Sequence, residues 1–360
     1  MKQTFPLRVI LACTAAALGS LSAEGQEAVV LKQVALDRWN IGTANYSGLA
    51  PMGHNRYAVV SDKEPADGFF IMEILQDSLT GEVSSARLES FRGNPSPALD
   101  RQGYSVRDCE GICYVPESGT LFISGEGDQK ILEYTAEGLP TGRELKVPAL
   151  FARPAIVPNF GFESLSYDAV RRRYWTTTET TLPADGFAAG AQYPEARNVL
   201  RIQCFDADLR PTAQYPYRME PLQTRKFGRL YAYGVSELCA LPDGRLLVME
   251  REINITGNYL GSVCHCRIFA FRPDESHQID DTTSLQALDP NFFPVKTLVA
   301  SFSTHLRLTA PNLANYEGMC LGRKLADGRQ TLLLIADSQG GSGRGPIHLR
   351  DWVKVLVLPD

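Results

Sequence analysis

The chain has 360 residues, 44% of them hydrophobic and 21% charged, with a formal net charge of −5. Those proportions are those of a soluble protein with a sizeable core, and they exclude a disordered, collagen-like or coiled-coil chain. The acidic balance also argues against nucleic acid as a partner, because a phosphate backbone calls for a basic face.

Residues 1–23 read as an export leader. Lys2 and Arg8 give a positive start, Val9 to Leu21 is almost uninterrupted apolar or small, and Ser20-Leu21-Ser22-Ala23 offers small residues for cleavage near Ala23. A lipoprotein leader ending at Ile10-Leu11-Ala12-Cys13 is the alternative. The protein is therefore expected in the periplasm or outside the cell, with 24–360 folding as one domain and acting as a monomer. No later stretch approaches the ~20 apolar residues of a membrane helix, so no membrane span is expected. Beyond Cys13 the cysteines are Cys109, Cys113, Cys204, Cys239, Cys264, Cys266 and Cys320. Their odd number and scattered spacing form no disulfide framework, and they read as small buried apolar residues.

With 30 Gly and 22 Pro and few helix-forming stretches, the mature chain leans to β structure. Five segments align in chain order: Ser47-Gly48-Leu49-Ala50, Glu110-Gly111-Ile112-Cys113, Glu163-Ser164-Leu165-Ser166, Glu237-Leu238-Cys239-Ala240 and Glu317-Gly318-Met319-Cys320. Each meets a turn, such as Pro242-Asp243-Gly244, and then a strand of β-formers, such as Leu246-Leu247-Val248-Met249. Each repeat is thus a hairpin. Weaker alternating strands follow at Phe69 to Leu75, Ile131 to Tyr134, Val199 to Phe205, Cys266 to Phe271 and Trp352 to Leu358. Repeated units of four antiparallel strands predict an all-β fold, a β-propeller of five blades. Val29 to Leu36 would add the outer strand that closes the last blade, and a degenerate sixth blade would have to lie in 181–233 or 272–310.

In an antiparallel hairpin the start of the first strand and the end of the second lie at one end. Glu110, Glu163, Glu237 and Glu317 open inner strands, while Asp62, Glu126, Glu179, Glu250 and Asp337 end second strands, so both sets should meet at the mouth of the central channel. Crowded carboxylates raise one another's pKa unless a cation neutralises them. Ca²⁺, a hard ion that takes oxygen ligands, is the expected occupant. Zn²⁺ fits less well, since the five His show no paired ligand spacing, and Cys264-His265-Cys266 lies on a strand that turns its sulfurs one way and its imidazole the other. Alternatively, a Glu at this position accepts hydrogen bonds from neighbouring blade backbones and simply holds the ring together. Arg107, Arg218, Arg225, Arg229 and Arg344 stand before or after these strands and would grip a small anionic substrate.

The motifs Asp108-Cys109-Glu110-Gly111-Ile112, Gly161-Phe162-Glu163-Ser164-Leu165, Gly234-Val235-Ser236-Glu237-Leu238 and Asn315-Tyr316-Glu317-Gly318-Met319 resemble the phytase-like family described as "esterase-like activity of phytase". The resemblance spans roughly 40–358 and implies an exported propeller with phosphoester or ester hydrolase activity, carried by its recurrent Glu and Asp residues. Ser47 departs from the pattern and leaves one side of the ring uncharged. The reading that follows is a metal-dependent phosphoester hydrolase with Glu110, Glu163, Glu237 and Glu317 as ligands, one of them serving instead as general base. A calcium-dependent lactonase or carboxylesterase is the first alternative, with His54 or His348 as base. A non-catalytic Ca²⁺-stabilised propeller that binds a ligand or protein is the second.

Overall fold

The computed structural model describes residues 27–62, 67–103, 105–344 and 347–359. The predicted leader and Cys13 lie outside them. Strands Tyr46–Gly53, Arg56–Ser61, Gly68–Gln76 and Val83–Gly93 pair in sequence order as the first antiparallel sheet. The second is Cys109–Val115, Thr120–Gly125, Lys130–Tyr134 and Pro140–Glu144. The third is Ser166–Asp168, Arg173–Thr176, Val199–Phe205 and Pro211–Arg218, and the fourth is Leu230–Ala240, Leu246–Ile255, Val263–Phe271 and Lys296–Arg307. The fifth has Asn315–Lys324, Gln330–Asp337 and Trp352–Val357 from the end of the chain.

That last sheet takes its outer strand from the beginning of the chain. Val29 faces Val357 and Val34 faces Val353, so Val29–Val30 and Val34–Ala35 close the ring as a paired edge. The architecture is a five-bladed β-propeller. Residues 181–233 hold the outer half of blade 3, and 272–310 hold 3₁₀ turns and the outer strand of blade 4, so neither is a sixth blade. Helical structure among the described residues is limited to short 3₁₀ turns, and no helix is long and apolar enough to cross a membrane.

The blades cohere because alternate residues of a strand face opposite sides. In the second strand of blade 4, Leu246 and Val248 pack towards blade 3 while Leu247 and Met249 pack towards blade 5. Five apolar clusters result, one at each blade-to-blade junction. The inner strands converge on the axis, where Ala50, Cys113, Ser166, Cys239 and Cys320 line a cavity of about 190 Å³ below the acidic mouth. The seven cysteines of the described chain are all buried and unpaired. Cys264 and Cys266 point the same way, their sulfurs 3.9 Å apart, while His265 turns to Ser303.

Ring closure by the first strands is open to test. A chain beginning at Asn40 exposes the edge of Trp352–Val357 and removes Leu36, which is fully buried. Its melting transition, followed by circular dichroism, should fall well below that of the longer chain or lose its cooperativity. An unchanged transition would contradict closure as a source of stability.

Candidate metal centre at the channel mouth

Every inner strand carries one residue too many at the same place. Tyr46 faces Ser61 but Gly48 faces Val60, and Cys109 faces Gly125 but Ile112 faces Ile123. Phe162 faces Thr178 but Ser166 faces Trp175, Val235 faces Glu250 but Glu237 faces Met249, and Tyr316 faces Ala336 but Gly318 faces Ile335. A bulge of this kind re-aims a side chain. The residues it turns into the mouth are Ser47, Glu110, Glu163, Ser236 and Glu317. Facing them, one step beyond the paired residue of the second strand, stand Asp62, Glu126, Glu179, Arg251 and Asp337. The position after the bulge must be small where inner strands touch: a Cβ on Gly48 would lie 2.3 Å from the Glu110 carbonyl oxygen, and one on Gly111 would lie 2.6 Å from the Leu165 nitrogen.

Blade 4 therefore departs from the sequence alignment by one residue. Ser236 and Arg251, not Glu237 and Glu250, hold the mouth positions. Glu250 points to the opposite side of its strand, as alternation requires, and is fully enclosed by Lys296 at 2.6 Å, the Tyr217 hydroxyl at 2.9 Å and Arg267 at 3.4 Å. Glu237 occupies the place of Gly48, Gly111 and Gly318 and lies along the channel axis. Its Oε1 accepts the backbone N–H of Leu165 at 3.1 Å and of Leu238 at 2.9 Å, and the carboxylate also takes the N–H of Met319. Burial raises its pKa and the three amides oppose that rise. Glu237 thus holds blades 3, 4 and 5 together, the backbone role anticipated as the alternative for these residues.

The remaining carboxylates gather. Asp62, Asp108 and Glu110 bring oxygens within 4.8 Å of one another, and so do Glu110, Glu126 and Glu163, with Glu110 shared. Either group could hold a metal ion. Burial first, then Glu163, Asp62, Glu317 and Glu126, keep Glu110 well above the usual carboxylate range. Glu163 is raised by burial and by Glu179, Glu126 and Glu317 against the pull of Arg251. Glu126 is oriented by the N–H of Gly161, which donates to its Oε1 at 2.9 Å. The other half of the mouth already has its cation: Arg251 Nη2 donates to Glu179 Oε1 at 2.5 Å, and Nη1 donates to Asn315 Oδ1 at 2.8 Å and lies 3.4 Å from Glu317 Oε1. Asp337 is buried and accepts from Gln339.

The cations expected to grip substrate are dispersed. Arg107 is buried in the junction of blades 1 and 2, paired with Asp128 at 2.7 Å and Asp67 at 3.4 Å, and it also donates to the Ile123 carbonyl. Arg218 sits over Phe293 at the outer rim, Arg225 and Arg229 are exposed in the following loop, and Arg344 belongs to the short hairpin after Asp337. His54 occupies the turn at the far end of its hairpin, on the face opposite the mouth, whereas His348 is in the Arg344 hairpin. Sequence reasoning did not assign Asp108, Arg251 or Asn315 to the site. Asp108 and Asn315 both stand two residues before a mouth Glu, a shared offset that could have marked them.

Residues 41–339 match the family model Phytase-like, described as esterase-like activity of phytase. No curated protein matches the sequence. Among solved structures, the PQQ-bound aldose sugar dehydrogenase of Streptomyces coelicolor is 14% identical, with 92% of this chain and 98% of that one covered and a TM-score of 0.42. The Podospora anserina α-L-arabinofuranosidase is 8% identical, with 94% and 98% covered and a TM-score of 0.40. A luciferin-regenerating enzyme is 11% identical, with 91% and 96% covered and a TM-score of 0.39.

Two outcomes follow from this geometry. Carboxylates with raised folded pKa values hold their protons more tightly than the unfolded chain does, so their contribution is present in acid and is lost as pH rises. In chelator, the melting temperature should therefore fall as pH rises above the ordinary carboxylate range, and a divalent cation should restore it at the upper end; a flat profile would contradict the clustering. Glu237→Ala leaves three buried N–H groups without a partner at about 1–3 kcal/mol each, so it should lower the melting temperature markedly. Divalent-cation affinity, measured by calorimetry, should be unchanged in the same variant.

Proposed function

The chain belongs to the phytase-like family, and from that premise we propose that it is an exported, divalent-metal-dependent hydrolase of phosphoesters. The observation that carries the proposal is the carboxylate group Glu110, Glu126 and Glu163, whose oxygens lie within 4.8 Å of one another, extended through Glu110 to Asp62 and Asp108. The donors are all hard oxygens, which suits Ca²⁺ with its about six to eight oxygen ligands better than Zn²⁺. When bound, such an ion polarises a phosphoryl oxygen and makes water more acidic.

The chain's own residues do the rest. Glu110, buried and shared by both groups, would fix the ion's place, and Asp62 and Asp108 would complete its oxygen shell on the blade 1 side. Glu163 is partly open to solvent, and burial with the neighbouring carboxylates raises its pKa, so it suits proton transfer at a carboxyl oxygen. Arg225 and Arg229, exposed in the loop between blades 3 and 4, would meet the anionic group.

A lactone or carboxylester is the second reading, and one observation favours it. Among the described residues, the guanidinium that reaches into the mouth, Arg251, is already tied to Glu179 and Glu317, which leaves an uncharged ester equally acceptable at the centre.

Purified protein should turn over a phosphomonoester, phosphodiester or carboxylester reporter in Ca²⁺ and lose that activity in chelator. Glu163→Gln should lower kcat by about two to four orders of magnitude, the usual worth of a positioned acid or base, with Ca²⁺ still bound. Ca²⁺-dependent melting with no turnover on any of the three reporters would sink the hydrolase reading and leave a calcium-stabilised binding propeller.

A further inference from the structure

Arg218 borders a cavity of about 350 Å³ at the outer rim of blades 3 and 4. One wall is the loop that leads into the third strand of blade 3, with Phe187 and Arg197; the other is the run of 3₁₀ turns in blade 4, with Leu288 and Phe293. We propose that this cavity binds a small amphiphilic oxyanion, a ring-bearing apolar body with a carboxylate or phosphoryl head. The site is separate from the channel mouth and stands or falls independently of the metal centre.

Charge selects the head. Two guanidinium groups, those of Arg197 and Arg218, line the cavity, and neither forms an ion pair among the described residues. Arg197 is exposed, and Arg218 lies over the Phe293 ring at 6.0 Å. The acid among the lining residues, Asp185, is only 1% exposed and already neutralised: Arg201 donates to its Oδ2 from Nε at 2.6 Å and to its Oδ1 from Nη2 at 2.7 Å. An entering oxyanion thus meets two available guanidinium forks, which suit carboxylate and phosphoryl oxygens alike. Exposed arginines are ordinarily just solvated. What sets this pair apart is its place on a concave, largely apolar surface.

That surface selects the body. Phe187 is 65% exposed and stacks on Tyr193, with ring centroids 4.4 Å apart. Phe293 lies beneath Arg218, and Leu288 is half-buried in the same wall. Apolar walls with a few placed polar groups, in a volume of about 300–1,000 Å³, are the usual make-up of a small-molecule site.

The cavity is also held open by its own framework. The Arg201 guanidinium that neutralises Asp185 donates to the carbonyls of Asp280, at 2.9 Å, and Thr283, and the Leu285 N–H lies 3.4 Å from Asp185 Oδ1, so one buried ion pair ties both walls together. Asn198, buried between Arg197 and Val199 in the chain, accepts the N–H of Ala189 at 2.7 Å and donates to the Tyr233 carbonyl at 3.0 Å. The loop that carries Phe187 and Arg197 is thereby anchored, and a ligand has little ordering to impose.

Purified protein in chelator, titrated with 3-phenylpropionate and with phenylphosphonate by calorimetry and ligand-observed NMR, tests this. At least one of the two should bind at a single saturable site, and the tighter one identifies the head. 3-Phenylpropanol, which keeps the ring without the charge, and acetate, which keeps the charge without the ring, should bind about tenfold or more weakly than the better probe. Arg197→Met, Arg218→Met and Phe187→Ser should each weaken the better probe by about the same factor. Arg197 and Phe187 are exposed, so their replacement should leave the melting transition unchanged and the loss of binding cannot be laid to unfolding.

Binding of neither probe overturns the assignment. So does binding that survives Arg197→Met combined with Arg218→Met, or that is lost in Arg225→Met combined with Arg229→Met, which would put the anion on the loop nearer the channel. A protein that sediments as a dimer and becomes monomeric in Phe187→Ser would give this surface to a second copy of the chain and overturn it equally.

Discussion

One extra residue in each inner strand decides what this propeller presents to solvent at its channel mouth. In a regular strand, successive side chains alternate between the two inter-blade faces. Glu110, Glu163 and Glu317 would then meet the apolar layers between blades, where an unpaired carboxylate is costly to bury. The bulge breaks the alternation at that position and turns the side chain to the axis. In blades 1, 2 and 5 it exacts a small residue behind it: a Cβ at Gly48, Gly111 or Gly318 would lie within 2.8 Å of the backbone of the next blade.

The consequence is electrostatic. Residues far apart in sequence become neighbours in the mouth, so burial and mutual repulsion act together on Glu110, Glu163 and Glu317. The chain answers this in two ways on the two sides of the ring. Across blades 3 to 5 it supplies Arg251. Across blades 1 to 3 two groups of oxygens lie within reach of a single ion. This asymmetry, not the number of acids, makes one side a candidate centre and the other a scaffold.

Much of this was legible in the sequence. Hairpin periodicity and the repeated small residue gave the five blades, and Val29 to Leu36 was readable as the closing strand. Glu110, Glu163 and Glu317 with their partners Asp62, Glu126, Glu179 and Asp337 followed from antiparallel geometry alone. Blade 4 misled because its Glu237 and Glu250 each lie one residue from the mouth position, and identity of residue type outweighed register. A bulge leaves no mark in composition, and its place is fixed only when strands pair. Arg251 was hidden for the same reason, between two glutamates that face the other way. Arg107, next to the motif in sequence, proved to be a buried partner of Asp128 and Asp67, since a cation beside an acidic strand is as readily consumed by structure as offered to a ligand.

The central claim is that the blade 1 to 3 side of the mouth is a hard-metal site. Crystals grown with Ca²⁺ or Mn²⁺ would test it most directly through anomalous difference density. The account predicts a peak beside Glu110, the residue shared by both carboxylate groups, at about 2.3–2.6 Å from its nearest oxygen for Ca²⁺. A mouth without a peak under saturating metal, or a peak seated only elsewhere on the protein, would contradict it.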